Sequence, residues 1–194
     1  LAARSGGTVI RSERPGSLLI VVPAYNEEAA IRKVVGEIRE AVPGVPVLVV
    51  DDCSADETAR HAREAGAEVL MLPHHLGLGG AVQAAYKLAW ESGFEYVIRL
   101  DGDGQHDPAY IPRILEALKT SGCEMVIGSR FIDGGSGHTS FARGLGIRFF
   151  RLVLRPILGK TVWDPTSGFV GVNRIALQVF SKTFPLEYPE IETL

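Results

Sequence analysis

Residues 18–52 read LLIVVPAYNEEAAIRKVVGEIREAVPGVPVLVVDD, and the order of patterns within this stretch decides the fold class. Leu18 to Val22 is an unbroken apolar run rich in β-branched residues, the pattern of a strand buried on both faces, and Pro23 ends it. From Glu27 to Ala41 the apolar residues Ala30, Ile31, Val34, Val35 and Ile38 recur at helical spacing, with Pro43-Gly44 as the stop. Val47 to Val50 then repeats the strand signal. A buried strand, an amphipathic helix and a second buried strand form a right-handed crossover unit with parallel strands.

The unit recurs downstream. Ser54 is a candidate N-cap for a helix from Ala55 to Ala65, which Gly66 ends. Glu68 to Leu72 and Tyr96 to Leu100 read as strands, followed by helices over Gly79 to Ser92 and Pro108 to Thr120, and Met125 to Gly128 makes a fifth strand. Beyond Arg130 the alternation weakens into a Gly-rich loop at Gly134 to Gly137, a basic apolar helix and a final strand at Gly168 to Val172. The expectation is an α/β, Rossmann-like, mainly parallel sheet with helices on both faces. It forms a single domain over residues 18–194, with residues 1–17 as a flexible lead-in. Ligands of such sheets bind outside the carboxyl ends of the strands. The polar residues gather there: Asn26-Glu27, Asp51-Asp52, His74-His75, Asp101 to Asp107 and Ser129-Arg130.

Composition narrows the function classes. The 194 residues are 46% hydrophobic and 22% charged, the profile of an ordinary globular protein. With 20 Lys and Arg against 23 Asp and Glu, a net charge of −3 gives no global field toward nucleic acid, so any anionic partner must be gripped locally. Cys53 and Cys123 are the only cysteines and offer neither a disulfide framework nor a CxxC metal site, which fits a reducing cytosol. Apolar runs such as Leu18 to Pro23 fall far short of the roughly 20 residues that cross a bilayer.

The strongest chemical signal is Asp101-Gly102-Asp103-Gly104-Gln105-His106-Asp107-Pro108, directly after a buried strand. Asp101 and Asp103 leave an extended backbone on the same side, and Gly102 and Gly104 permit a tight turn. Such a pair suits one hard cation, Mg²⁺ or Mn²⁺, with the amide oxygen of Gln105 as a further ligand and open positions for a diphosphate. Asp107 reads instead as the cap of the helix beginning at Pro108. At the first two strand ends, Tyr25 could stack near a nucleobase and Asp52 could accept hydrogen bonds from base N–H or ribose hydroxyl groups. A helix-terminal charge for Glu27 and a capping arrangement over Asp52 to Ser54 stand as equal alternatives.

Gly77, Gly79 and Gly80 follow the third strand and lack the dinucleotide spacing, which argues against a dehydrogenase. Gly79 permits close helix approach to a donor, with simple helix initiation as the alternative. His74-His75 cannot place both rings on one helical face, so no zinc is assigned. In a helix from Arg143 to Lys160, Arg148, Arg151 and Arg155 share one face, and Leu145, Phe149, Leu152 and Val153 supply much of the rest. This suits either a membrane-surface helix or a packed surface helix with a solvated basic stripe.

The ordered set V-P-A-Y-N-E, V-D-D-C-S-A-D-E-T, H-L-G-L-G-G-A, D-G-D-G-Q-H-D-P, I-G-S-R-F and D-P-T-S-G-F resembles the GT-A glycosyltransferases of family 2. Within them it looks most like the branch of dolichol-phosphate mannose synthase and bacterial polyprenyl-phosphate glycosyltransferases. The resemblance runs from Leu18 to the C-terminus. It implies that Pro23, Tyr25, Glu27 and Asp52 bind the nucleoside, Asp101, Asp103 and Gln105 the metal, and Arg130 with Arg143 the phosphates. Two residues depart from the pattern: Cys53 stands where Gly is common, and His75 where Asn is common. The family normally continues past Tyr188 to Glu192, so the chain is expected to lack part of its acceptor-side wall.

The implied reaction is inverting transfer of a hexose from a UDP- or GDP-sugar to a polyprenyl phosphate. The protein is expected in the cytoplasm, peripheral on the inner face of the cell membrane. A hydroxyl acceptor would instead need a carboxylate base, for which Asp164, Glu190 and Glu192 are the candidates. A non-catalytic nucleotide-sugar-binding subunit is the alternative from another class.

Overall fold

The computed structural model describes residues 10, 12, 16–128 and 167–183. Its elements run β1 (Leu18–Ala24), α1 (Ile31–Ala41), β2 (Val47–Asp51), α2 (Thr58–Glu64), β3 (Glu68–Met71), α3 (Gly77–Glu91) and β4 (Tyr96–Arg99). A 3₁₀ turn (Pro108–Tyr110), α4 (Ile111–Thr120), β5 (Met125–Ile127), β6 (Val170–Asn173) and α5 (Arg174–Phe180) follow.

All seven residues of β1 are buried, as its apolar run requires. Alternate side chains enter two cores. Leu18, Ile20 and Val22 pack with Ile31, Val34, Val35 and Ile38 of α1 and with Ile111 and Ile114 of α4. Leu19 and Val21 pack on the opposite face with Val82, Ala85 and Tyr86 of α3 and Leu177 of α5. Helices therefore cover both faces, and burial of each such aliphatic side chain contributes about 1.5–3 kcal/mol.

The six strands lie in the order β3-β2-β1-β4-β6-β5. β1 pairs in parallel with β2 and with β4, and β2 in parallel with β3. β6 is antiparallel to both neighbours, β4 and β5. The sheet is thus mainly parallel, with one returning strand wedged into it. Because β2 lies on one side of β1 and β4 on the other, the order reverses between β1 and β4. The crevice at their carboxyl ends is the switch point at which α/β sheets bind ligands.

Helix boundaries differ from the periodicity in an informative way. α1 begins at Ile31, after a turn in which the Glu27 N–H donates to Thr58 Oγ1 at 2.8 Å and the Glu28 N–H to Asp56 Oδ2 at 3.1 Å. α2 begins at Thr58, and Ser54 does not cap it. The Ser54 hydroxyl accepts the Asn26 N–H at 2.9 Å instead. Residues expected to start two helices are used to stitch the β1 and β2 loops together. Of the expected lead-in, Ile10 packs against the second core and the Ser12 N–H donates to the Ser92 carbonyl at 2.9 Å. The expected helix over Arg143 to Lys160 lies outside the described residues, whereas α5, with Asn173 Oδ1 accepting the Ile175 and Ala176 N–H groups, adds a helix that periodicity did not indicate.

Candidate donor-binding site

The loops after β1 and β2 form one wall of the crevice. The Asp52 N–H donates to the Ala24 carbonyl at 2.9 Å, and the Ala55 N–H to Asn26 Oδ1 at 2.9 Å. Asn26 and Cys53 both adopt left-handed backbone, with φ of 55° and 65°. Cys53 occupies the place where the resemblance leads one to expect glycine, and the left-handed φ is the reason: only glycine adopts it without a Cβ penalty.

Asp52 is almost fully buried, at 3% exposure. Its Oδ1 accepts the Leu76 N–H at 2.7 Å, and its Oδ2 lies 2.9 Å from His75 Nδ1. The carboxylate thereby ties the end of β2 to the entry of α3. The His75 ring lies 4.2 Å from that of Tyr25, tilted by 33°, and about half of each side chain faces solvent. Gly79 is buried in the first turn of α3. A Cβ at Gly80 would come within 2.5 Å of Leu76 Cβ, so close packing at the start of this helix explains part of the glycine run.

The opposite wall is the segment after β4. The Leu100 N–H donates to the Val21 carbonyl at 3.0 Å, carrying the pairing one residue past the strand. The loop then passes so near the end of β1 that a Cβ on Gly102 would meet the Pro23 carbonyl oxygen at 3.1 Å. Asp103 Oδ1 accepts the Gln105 N–H at 2.9 Å, and Gly104 takes a φ of 76° that closes the turn. Asp107 caps the following helical turn, its Oδ1 accepting the Ala109 N–H at 2.9 Å with Pro108 next in sequence, as its capping signature indicates.

Asp101 is held by His106 of its own loop, with the segment before β6 close beside it. His106, buried at 7% exposure, places Nε2 3.3 Å from Asp101 Oδ2, and its ring centroid lies 5.5 Å from that of Phe169. Gly168 leaves room for the carboxylate, since a Cβ there would overlap it. Arg99 Nε donates to the Gly168 carbonyl at 2.9 Å, and the Ser167 hydroxyl donates to the Gly128 carbonyl at 2.6 Å. The segment before β6 therefore fastens the ends of β4 and β5 to the Asp101 loop.

Burial raises the pKa of the Glu27 carboxyl above its ordinary 4.5, and the negative charges of Asp103 and Asp56 add to the effect. The structure thus brings Glu27 of the first wall into the field of Asp103 on the second. Asp101 and Asp103, beside Gln105, are oxygen donors suited to a hard divalent cation. Among the described residues no group of three or more His, Cys, Asp or Glu side chains is gathered as a metal cluster. Arg130, Arg143, Asp164, Glu190 and Glu192 lie outside the described residues. His75, His106, Arg99 and Gly168 were not singled out as site residues from the sequence. Three of them, His75, His106 and Gly168, sit inside the quoted motifs, and Arg99 was visible as a charge in an otherwise apolar strand.

Residues 19–180 match the family described as Glycosyl transferase family 2, and the chain belongs to that family. It is 40% identical over 158 residues to the undecaprenyl-phosphate mannosyltransferase of Micrococcus luteus, covering 78% of this chain and 64% of that one. It is 31% identical over 167 residues to the polyprenol monophosphomannose synthase of Mycolicibacterium smegmatis, covering 82% and 63%. The chain spans less than two thirds of either relative. Among solved structures it resembles glucosyl-3-phosphoglycerate synthase from Mycobacterium tuberculosis in complex with Mg²⁺ and UDP, with a TM-score of 0.64 and 27% identity over 82% of this chain and 57% of that one. The fold is accordingly the GT-A form of the nucleotide-binding α/β sheet.

Proposed function

We propose that this chain is the donor-binding part of an inverting, Mg²⁺- or Mn²⁺-dependent hexosyltransferase. It moves a sugar from a UDP- or GDP-sugar to a polyprenyl phosphate of the dolichyl type. The observation that carries the reading is the meeting of two walls at one switch point: Tyr25, Glu27 and Asp52 from the β1 and β2 ends, and Asp101 with Asp103 from the β4 end. Relatives named for polyprenyl-phosphate acceptors and a structural neighbour with UDP and Mg²⁺ support the same assignment.

In this reading Pro23, Tyr25, Glu27, Asp52 and Gly79 make up the nucleoside side of the crevice. Asp101, Asp103 and Gln105 would hold the cation, which when bound supplies positive charge against that developing on the departing diphosphate. Arg130 and Arg143 grip the phosphate oxygens, for which guanidinium geometry is suited. An acceptor phosphate is mostly ionised at neutral pH, with a pKa of about 6, so it needs no strong general base. In this reading the protein acts in the cytoplasm, with the basic segment from Arg143 to Lys160 peripheral on the inner face of the cell membrane. No helix among the described residues is long and apolar enough to cross a bilayer.

A second reading keeps the donor and changes the acceptor. It is favoured by the likeness, at TM-score 0.62 and 29% identity, to a glucosyl-3-phosphoglycerate synthase whose structure holds Mn²⁺, UDP and phosphoglyceric acid. A hydroxyl acceptor would call on Asp164, Glu190 or Glu192 as base. The deciding experiment offers the protein Mn²⁺ and radiolabelled UDP- and GDP-sugars, with polyprenyl phosphate in vesicles or with phosphoglyceric acid. Label appearing in the lipid phase supports the first reading. Label transferred only to the soluble acceptor overturns it.

A further inference from the structure

The Asp52 carboxylate is poorly placed to meet a nucleobase directly. It is almost fully buried, and both of its oxygens are engaged, Oδ1 by the Leu76 N–H and Oδ2 by His75. Tyr25 and His75 are both about half exposed at this end of the crevice. His75 Nδ1 lies 2.9 Å from Asp52 Oδ2 and 3.2 Å from the Asp52 backbone carbonyl oxygen. A carbonyl oxygen only accepts, and so does an ionised carboxylate, so Nδ1 must carry a proton and donate it. In the neutral imidazole the proton is then absent from Nε2, which becomes an acceptor on the ring's other edge. Asp52 thus fixes both the tautomer and the orientation of a half-exposed ring, and the 4.2 Å contact with Tyr25 fixes its plane.

Resting on the donor-binding reading, we infer that His75 is the residue that selects the nucleobase. Its Nε2 accepts the ring N–H of uracil or guanine while the base lies against Tyr25, and Asp52 is a positioning residue behind it. Uracil and guanine each carry a ring N–H on the pairing edge. Cytosine and adenine present a bare ring nitrogen there, which would face Nε2 acceptor to acceptor. The same atom therefore admits one pyrimidine and one purine and rejects the other two. Selection of this kind is set by the cost of leaving a polar group unpaired, as much as by the bond formed.

The test is calorimetric titration of the protein with UDP, GDP, CDP and ADP in the presence of Mn²⁺, in mildly alkaline buffer. UDP or GDP is expected to bind about tenfold tighter than CDP and ADP. His75→Phe retains a flat ring beside Tyr25 and removes both nitrogens, and should bring the nucleotides to within about twofold of one another. A measurement without substitution uses the preferred nucleotide methylated at its ring N–H, uridine N3 or guanosine N1. That derivative should lose the same factor in the wild type and none in His75→Phe. If CDP and ADP bind the wild type as tightly as UDP and GDP, or if methylation has no effect, the inference is overturned while the donor reading stands. Absence of Mn²⁺-dependent binding of any of the four would overturn both.

Discussion

Gly168 stands so close to Asp101 that a β-carbon on it would fall 1.7 Å from Asp101 Oδ2, far inside van der Waals contact. The first residue of the Asp-Gly-Asp segment can hold its position only because the returning chain before β6 has no side chain at this point. Gly168→Ala should therefore displace the Asp101 carboxylate, with overpacking costing about 1–3 kcal/mol of stability. We expect a lower melting temperature together with weaker Mn²⁺-dependent nucleotide binding. A variant that melts lower but binds Mn²⁺ and nucleotide as the wild type does would separate this glycine from the site.

Asp103→Asn should leave the fold intact, because Asp103 is exposed and its one described hydrogen bond, to the Gln105 N–H, can be kept by an amide oxygen. Loss of a charged ligand should abolish the divalent-ion-dependent part of nucleoside diphosphate binding. Titration with and without Mn²⁺ measures that part. Its survival in the variant would remove Asp103 from the proposed metal set.

Glu27 links pH to stability. Its carboxyl pKa is raised in the folded protein, chiefly by burial and further by Asp103 and Asp56, so the folded state holds the proton more tightly than the unfolded chain does. Its favourable contribution is complete below the ordinary value of 4.5 and is lost as pH rises through the folded pKa. Glu27→Gln should then raise the melting temperature at neutral pH, and the gain should fade in acid as the wild-type carboxyl becomes protonated. Melting curves of both proteins across that range decide it. A gain that persists unchanged below pH 4.5 would contradict the assignment.

Reversal of Arg148, Arg151 and Arg155 to Glu should strongly reduce co-sedimentation with anionic liposomes, since each basic residue near such a surface contributes about 1 kcal/mol. Binding by the wild type should weaken as salt rises, because charges are screened over about 8 Å at physiological ionic strength. Donor affinity should hardly change. No preference of the wild type for anionic vesicles even at low salt would make the stripe an ordinary solvated face, and the hydroxyl-acceptor reading would then lead.

What the sequence by itself determined is local in origin. The β1 run and the periodicity of α1 carry their own burial pattern, so the strand and helix alternation and the crowding of polar residues at strand ends were legible without coordinates. So was the cap at Asp107, because a capping side chain meets a backbone N–H two residues away. The direction of the last strand was not legible. A run buried on both faces looks the same whichever way it points, and only packing placed β6 antiparallel between β4 and β5. Tertiary structure alone also decided that Ser54 would serve Asn26 instead of a helix, that Gly168 would make room for Asp101, and that Asp52 would turn inward to His75. Each of these joins residues far apart in the chain, whose contact depends on how the crossovers stack the strand ends, and no periodicity along a single segment encodes that distance.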